Sequence, residues 1–170
     1  MEWAAFFETF GKIASAAAAV AGGWWAFEKW RQRDEHFPRV RFEVSVNFVG
    51  QTRGHVIAEL VASLENKGVV PLKIRDFSFK LLGLKVDDDL NVGGEAIRGQ
   101  LAFPHLLVEG HFVPKEWNFT FVYPGVVTEY NFVCSLPVDV AFVRMQADFH
   151  YENQGFAHHA AKVLQVPRPA

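Results

Sequence analysis

After residue 38, apolar and polar residues alternate with a period of two along most of the chain. The pattern starts with Val40, Phe42 and Val44, which are separated by Arg41 and Glu43. Because successive side chains of a β-strand point to opposite faces, such a run predicts a strand with one face in a core. Comparable runs follow at close spacing, separated by turns rich in Asn, Gly and Pro, and no helical period is sustained. The sequence therefore predicts a mainly β protein, an antiparallel sandwich or barrel of about eight or nine strands.

The third predicted strand, residues 72–82, changes parity within itself. Ile74 belongs to one face, whereas Phe77 and Phe79 belong to the other. One extra residue would bring all three side chains to the same face. We therefore expect a β-bulge near Arg75 or Asp76.

The segment before residue 38 has a different character. Residues 13–27 carry no charge, and the apolar run extends back to residue 3 if Glu8 and Lys12 are accommodated. About 20 mostly apolar residues can span a bilayer, so the segment predicts a single transmembrane helix. The alternatives are a signal peptide, which Glu2 disfavours, and a helix packed on a soluble domain. We expect these aromatic and basic residues at the membrane interfaces: Trp3, Lys12, Trp24, Trp25 and Trp30.

The flanking charges predict an orientation. Lys29, Arg31 and Arg33 follow the apolar run, and Lys12 is the one basic residue before its end. Since positive charges stay on the cytoplasmic side, we expect a single-pass protein with a cytoplasmic C-terminal domain. The predicted boundary separates an anchor, residues 1–36, from a β-sandwich, residues 37–170.

Small residues recur every four positions along the predicted helix. They are Gly11, Ser15, Ala19 and Gly23. Such a stripe lets two helix backbones approach closely. It predicts a homo-oligomer, or contact with the helix of a partner membrane protein, although an alanine-rich segment also produces such stripes by chance.

Two short stretches match turn patterns of a known class of domain. Residues 66–74 read Asn-Lys-Gly-Val-Val-Pro-Leu-Lys-Ile, and Pro124-Gly125 is followed by Tyr130-Asn131-Phe132. Both resemble the hairpin and corner motifs of immunoglobulin-like sandwich domains in bacterial surface and membrane-anchored proteins. The order of one helix and then one β domain is similar to that of small bacterial membrane-anchored proteins. The resemblance implies an immunoglobulin-like sandwich attached to a membrane.

The composition excludes several functional classes. The chain has 170 residues with 17 Phe, 5 Trp and 3 Tyr, and its formal net charge is -2. Disordered chains lack such aromatic content, and an isoelectric point of about 6.4 provides no basic surface for nucleic acid. A lone cysteine, Cys134, excludes an internal disulfide framework.

The aromatic content also predicts an exposed apolar patch, because a core of this size buries only part of it. Residues 100–114 are apolar but interrupted by Pro104 and Pro114, which a central strand would not tolerate. The segment predicts a partner site formed by Phe103, Leu106, Leu107 and Phe112. The alternative is an edge strand packed on the core.

Metal and catalytic motifs are weak in this sequence. His150 and His158 form a candidate cross-strand pair across the turn at residues 153–155, but no third ligand accompanies them. Residues 87–95 resemble a calcium loop, but a loop that starts at Asp87 needs glycine at the sixth position and glutamate at the twelfth, where this chain has Val92 and Arg98. Cys134 alternates with apolar residues and fits a buried position better than a reactive one. We therefore expect no metal, no cofactor and no catalytic residue.

These observations predict a non-enzymatic, membrane-anchored interaction or accessory module. Its helix would associate within the bilayer, and its sandwich would bind a cytoplasmic protein. One alternative is a ligand-sensing membrane effector, as in bacterial antiviral defence, with a cavity lined by aromatics and by some of these arginines: Arg41, Arg53, Arg75, Arg98 and Arg144. A second alternative is a small metal-dependent hydrolase that uses a histidine pair.

Overall fold

The computed structural model describes residues 2–32, 38–90, 100–114, 116–117, 119–152 and 157–167. The chain divides into two compact units, Met1–Phe37 and Pro38–Ala170. The first unit contains one helix and the second contains the β-strands, which we describe separately.

Helix α1 occupies Glu2–Gln32. Its described side chains are exposed almost throughout, among them Val20, Trp24, Trp25 and Phe27. No helix in the described part of the chain is long and apolar enough to cross a membrane. The predicted transmembrane span is therefore not supported. The uncharged run consists largely of alanine and glycine, which contribute less hydropathy than leucine, isoleucine or phenylalanine.

The second unit contains eight antiparallel strands in two sheets within its described residues. The first sheet has the order β1-β2-β6, and the second has the order β4-β3-β7-β8, with β5 paired to the beginning of β3. The strands are β1 (Val40–Thr52), β2 (His55–Asn66), β3 (Leu72–Lys85), β4 (His105–His111), β5 (Thr120–Val122), β6 (Val127–Pro137), β7 (Val140–Tyr151) and β8 (Ala157–Gln165). This confirms the mainly β, antiparallel prediction, whereas the immunoglobulin-like assignment stays a prediction.

Local backbone chemistry sets the strand registers. Arg53 and Gly54 both have positive φ, as a two-residue type I′ turn between β1 and β2 requires. The predicted bulge in β3 is confirmed, because the β3–β7 register shifts between Arg75 and Ser78 and Asp76 has φ of 53°. The shift brings Ile74 and Phe77 into the same core.

Aromatic side chains fill the centre of the core between the sheets. Phe77 lies 5.6 Å from Phe149, 5.7 Å from Phe42 and 5.1 Å from Tyr130 between ring centroids, at steep angles. These edge-to-face contacts connect β1 and β6 of one sheet to β3 and β7 of the other. Buried aliphatic residues of β2 and β7, such as Leu60 and Met145, complete this core.

Candidate functional site

The strand β5 and its flanks expose aromatic side chains at every second position. We call Trp117, Phe119, Phe121 and Tyr123 the aromatic strip. Their exposed fractions are 64%, 38%, 43% and 56%, respectively. A spacing of two residues places Phe119, Phe121 and Tyr123 on one face of the strand and its flanks. Trp117 precedes them in a turn, in which its N–H donates to the carbonyl of Pro114 at 2.9 Å.

The strip results from the register of β5 on β3. Thr120 pairs with Ile74 and Val122 pairs with Leu72, while Phe121 pairs with Lys73. Val122 and Ile74 are buried, so the smaller residues of β5 face the core and the aromatic residues face solvent. If the more apolar face of β5 were buried, the aromatic residues would lie in the core. The observed orientation is the opposite one.

The rings of the strip contact one another and a charged pair. Phe119 and Phe121 have centroids 5.2 Å apart at an interplanar angle of 70°, and Phe121 lies 6.0 Å from Tyr123. Lys73 Nζ sits 3.7 Å from the centroid of Phe119 and 2.6 Å from Glu152 Oε2. The cation–π contact and the ion pair hold this ammonium group at the side of the strip.

Asn66 fixes the end of the strand that carries the strip. It is the one fully buried polar side chain among the described residues. Its Nδ2 donates to the carbonyls of Val70 and Val122, each at 2.9 Å, and its Oδ1 accepts from Gly68 N at 2.9 Å. The amide therefore joins the β2–β3 loop to β5, and satisfied buried groups of this kind specify one backbone arrangement.

The loops joined by Asn66 add exposed aliphatic residues at the same end of the sandwich. Val69 and Val70 lie in the β2–β3 loop, and Val126 and Val127 follow Tyr123 at the β5–β6 turn. Several exposed apolar residues at one end of a domain form a candidate interaction site.

The predicted patch in residues 100–114 does not form. Leu106 is exposed, but Leu107 and Phe112 pack on the core and Phe103 is half-buried. Leu107 lies against Gly83, where an added Cβ would come within 2.8 Å of its Cδ1. Phe112 also packs on Phe77 and Phe79, with centroid distances of 5.0 and 4.7 Å. The segment is an edge strand packed on the core, the alternative stated above.

The structure does not pair His150 with His158. His158 is opposite Phe149 and His150 is opposite Ala157, so the two side chains point to different faces of the sheet. His158 stacks on Phe149 at 5.5 Å, and burial lowers its pKa. Within the described ranges, no group of three or more His, Cys, Asp or Glu side chains could hold a metal ion.

Other candidate residues have structural partners. Asp88 accepts from Lys85 N at 2.6 Å and lies 2.9 Å from His105 Nε2, so the described part of the acidic turn is tied to β3 and β4. Burial raises the pKa of the Cys134 thiol, which keeps it protonated at neutral pH. The described arginines suggested for a ligand sensor lie on different elements, because Arg41 is on β1, Arg53 in a turn, Arg75 on β3 and Arg144 on β7. Arg98 lies outside the described residues.

The residues predicted to act in the membrane or in helix packing all lie on α1. Ser15, Ala19, Gly23, Trp24 and Trp25 are exposed, and Lys29 Nζ lies 4.7 Å from the ring centroid of Trp25. Lys12 is also exposed. The positions Trp3, Gly11 and Trp30 belong to the helix but fall outside the residues whose side chains are described. Helix packing, membrane location and a cytoplasmic orientation remain predictions from the sequence.

The strip was not identified as a site from the sequence. The available signal was the aromatic residue at each odd position from 117 to 123. Because Thr120 and Val122 also suit a strand, the sequence does not reveal which of the two faces is buried.

The fold and this surface define a two-sheet antiparallel β domain with an exposed aromatic edge. No protein-family model and no curated protein sequence matches the chain. A solved protein from Bordetella pertussis described as ApaA is similar over 78% of this chain and 97% of its own, with 19% identity and a TM-score of 0.49. The structural-genomics target SoR45 covers 76% of this chain and 87% of its own, with 17% identity and a TM-score of 0.45.

A β-glucosidase from Kluyveromyces marxianus, solved with glucose, is similar over 78% of this chain but only 14% of its own. Its identity is 9% and its TM-score is 0.35. Likenesses this distant transfer no function to the chain.

Proposed function

We propose that the protein is a non-enzymatic interaction module whose aromatic strip docks against an apolar surface of a partner protein. The observation that carries this proposal is the inverted orientation of β5, with Phe121 in solvent and Val122 in the core. Exposing aromatic area forgoes the hydrophobic stabilisation that burial would supply. A partner that covers the strip recovers it.

The residue types of the strip favour a protein partner. Trp and Tyr are enriched among residues that dominate binding energy, because they bury a large area with few rotatable bonds. The steep angle between Phe119 and Phe121 leaves no single flat platform for a planar ligand. Apolar side chains of a protein surface can fill the space between such rings.

The ion pair between Lys73 and Glu152 lies beside the strip and suits the polar rim of a docking surface. Lys73 and Glu152 neutralise each other there, so neither brings an unpaired charge into the interface. The centre of such a surface is apolar and its rim is polar, which is the usual anatomy of an interface.

Photo-crosslinking in cells that make the protein tests this proposal. A photoreactive phenylalanine analogue is placed at Phe121 and, as the matched control, at Phe142, whose exposed fractions are 43% and 39%. The two positions pair with Lys73 and Leu84, roughly 35 Å apart along β3. We expect one discrete protein adduct at Phe121 and none at Phe142. No adduct at Phe121, or equal adducts at both positions, would contradict the proposal.

A further inference from the structure

The edge of β1 opposite to β2 is unpaired in the described part of the chain and carries no charge at its core-facing positions. Among the described strands, β2 is the one neighbour of β1 within its sheet. The core-facing residues of β1 from residue 40 to residue 48 are all apolar, and Val40 and Phe42 are only partly buried. An exposed edge without inward charges is a template for another strand.

The neighbouring edge strand β8 is protected in a way that β1 is not. Lys162 of β8 is opposite the buried Met145, so it occupies a core-facing position, yet it is exposed. A charge at such a position opposes strand addition. A cleft of about 620 Å³ separates the two edges and is lined by residues 42–45 and 159–162, among others. Solvent reaches the β1 edge through this cleft, and Cα atoms of β8 come within 8 Å of β1 beside it.

The backbone of β1 presents donors and acceptors along this edge. Lys67 N donates to the carbonyl of Arg39 at 2.7 Å, which places Arg39 on the side that bonds to β2. Because this direction alternates along an antiparallel strand, Arg41 and Glu43 also bond toward β2. Val40, Phe42 and Val44 then direct their N–H and C=O groups outward. The regular stretch ends at the register shift between Phe48 and Gly50.

We propose that β1 pairs with β1 of a second copy of this chain, antiparallel and centred on Phe42. In that register Arg41 is opposite Glu43 of the second copy on the exposed face, and this happens twice because the pairing is two-fold symmetric. On the core face, Val40 meets Val44 of the second copy. Arg41 Nη2 and Glu43 Oε1 form an ion pair within the chain at 2.8 Å, and both side chains are more than half exposed. The proposed pairing exchanges this contact for two contacts between the copies.

Charge selects this register over its neighbours. A shift of the two-fold axis to Arg41 places two arginines directly opposite, and a shift to Glu43 places two glutamates opposite. Like charges at directly opposed positions are destabilising, whereas opposite charges are stabilising. The axis at Arg41 also places Arg39 opposite Glu43 of the second copy twice. Of these three axes, only the one at Phe42 forms opposite-charge pairs with no like-charge pair.

Disulfide trapping with the full-length chain tests the proposed register. Purified Arg41→Cys and Glu43→Cys variants are mixed and oxidised, and the covalent dimer is quantified on a non-reducing gel. We expect a covalent dimer in the mixture, several-fold above either variant alone, because Cα atoms at opposed non-hydrogen-bonded positions lie about 4.5 Å apart. The control mixture pairs Arg41→Cys with Asn47→Cys, an exposed position of the same strand outside this register. An equal yield in the control, or no dimer in the first mixture, would overturn the proposal.

Charge reversal supplies a second, independent measurement. Arg41→Glu should raise the dimer dissociation constant roughly tenfold, because two attractive pairs become repulsive. The double variant Arg41→Glu/Glu43→Arg should restore it. Sedimentation equilibrium measures this constant, and thermal unfolding verifies that all variants fold. An unchanged constant in Arg41→Glu would refute the pairing, as would a failure of the double variant to restore it.

Discussion

At the residue scale, Asn66 has the most demanding hydrogen-bond environment among the described side chains. It is fully buried, and its three side-chain hydrogen bonds join the β2–β3 loop to β5. Without the Asn66 amide, the carbonyls of Val70 and Val122 and the N–H of Gly68 would lose these hydrogen bonds. Leaving such groups unsatisfied is costly in a low-dielectric interior.

We therefore expect Asn66→Ala to lower the free energy of unfolding by roughly 3 kcal/mol. Urea denaturation measures this change. The control is Asn47→Ala, which removes an exposed hydrogen bond of 3.2 Å to Glu59 and should change stability by less than about 0.5 kcal/mol. Equal effects of the two substitutions would show that the Asn66 network does not stabilise the fold.

Asp88 predicts a pH dependence of stability. The hydrogen bond with His105 lowers the pKa of Asp88, and the hydrogen bond from Lys85 N lowers it further. A carboxyl group with a depressed folded-state pKa contributes stability above its unfolded pKa of about 3.9 and loses it as pH falls through the folded value. Asp88→Asn should thus destabilise the protein at pH 6, and the difference from wild type should shrink below pH 4.

Unfolding curves across this pH range, with Asp87→Asn as the neighbouring control, measure the Asp88 contribution. A difference between wild type and Asp88→Asn that stays constant from pH 6 to pH 3 would argue against it.

At the element scale, the period-two pattern predicted most strands and the bulge in β3. It failed where a face or a register depends on distant contacts. The histidine pair was wrong because His150 pairs with Ala157 instead of His158, and a shift of one residue moves a side chain to the other face. The patch at residues 100–114 was wrong because Gly83 makes room for Leu107, which is far away in sequence.

The aromatic strip is a surface that the structure contains and that the sequence analysis did not predict. Strand propensity at residues 117–123 is high on both faces. The buried face is decided by the pairing of Thr120 with Ile74 and of Val122 with Leu72, and by the Asn66 amide. Such a choice is made by tertiary contacts, so the sequence pattern could not reveal it.

Helix α1 provides an element-scale test of the small-residue stripe. An added Cβ at Gly23 meets nothing within 4 Å, so Gly23→Leu should not disturb the chain's own described packing. If stripes of two copies pack together, Gly23→Leu should lower the oligomer mass measured by light scattering. Ala17→Leu is the control, because Ala17 is two residues from Ala19 and therefore nearly opposite it on the helix. A loss of mass in the control alone, or in neither variant, would contradict packing through the stripe.

At the scale of the whole molecule, much of the excess of apolar residues lies in three places in the described structure, and single exposed residues such as Val133 and Val163 lie elsewhere. One is the core between the sheets, centred on Phe77 and Phe149. The second is helix α1, whose described apolar side chains are exposed, and the third is the aromatic strip with its neighbouring valines. Sequence analysis predicted the core and the helix, and it predicted an exposed patch at a different place.

In the structure β5 exposes its aromatic residues, and we propose that a partner protein covers them. Hydroxyl-radical footprinting of Phe121, in the purified protein and in intact cells, tests both the exposure and the partner most directly, with Phe142 as the internal reference of similar exposure. We predict that both residues are oxidised in the purified protein and that Phe121 alone is protected in cells. Protection of Phe121 in the purified protein would contradict its exposed orientation, and equal oxidation of Phe121 and Phe142 in cells would contradict the partner.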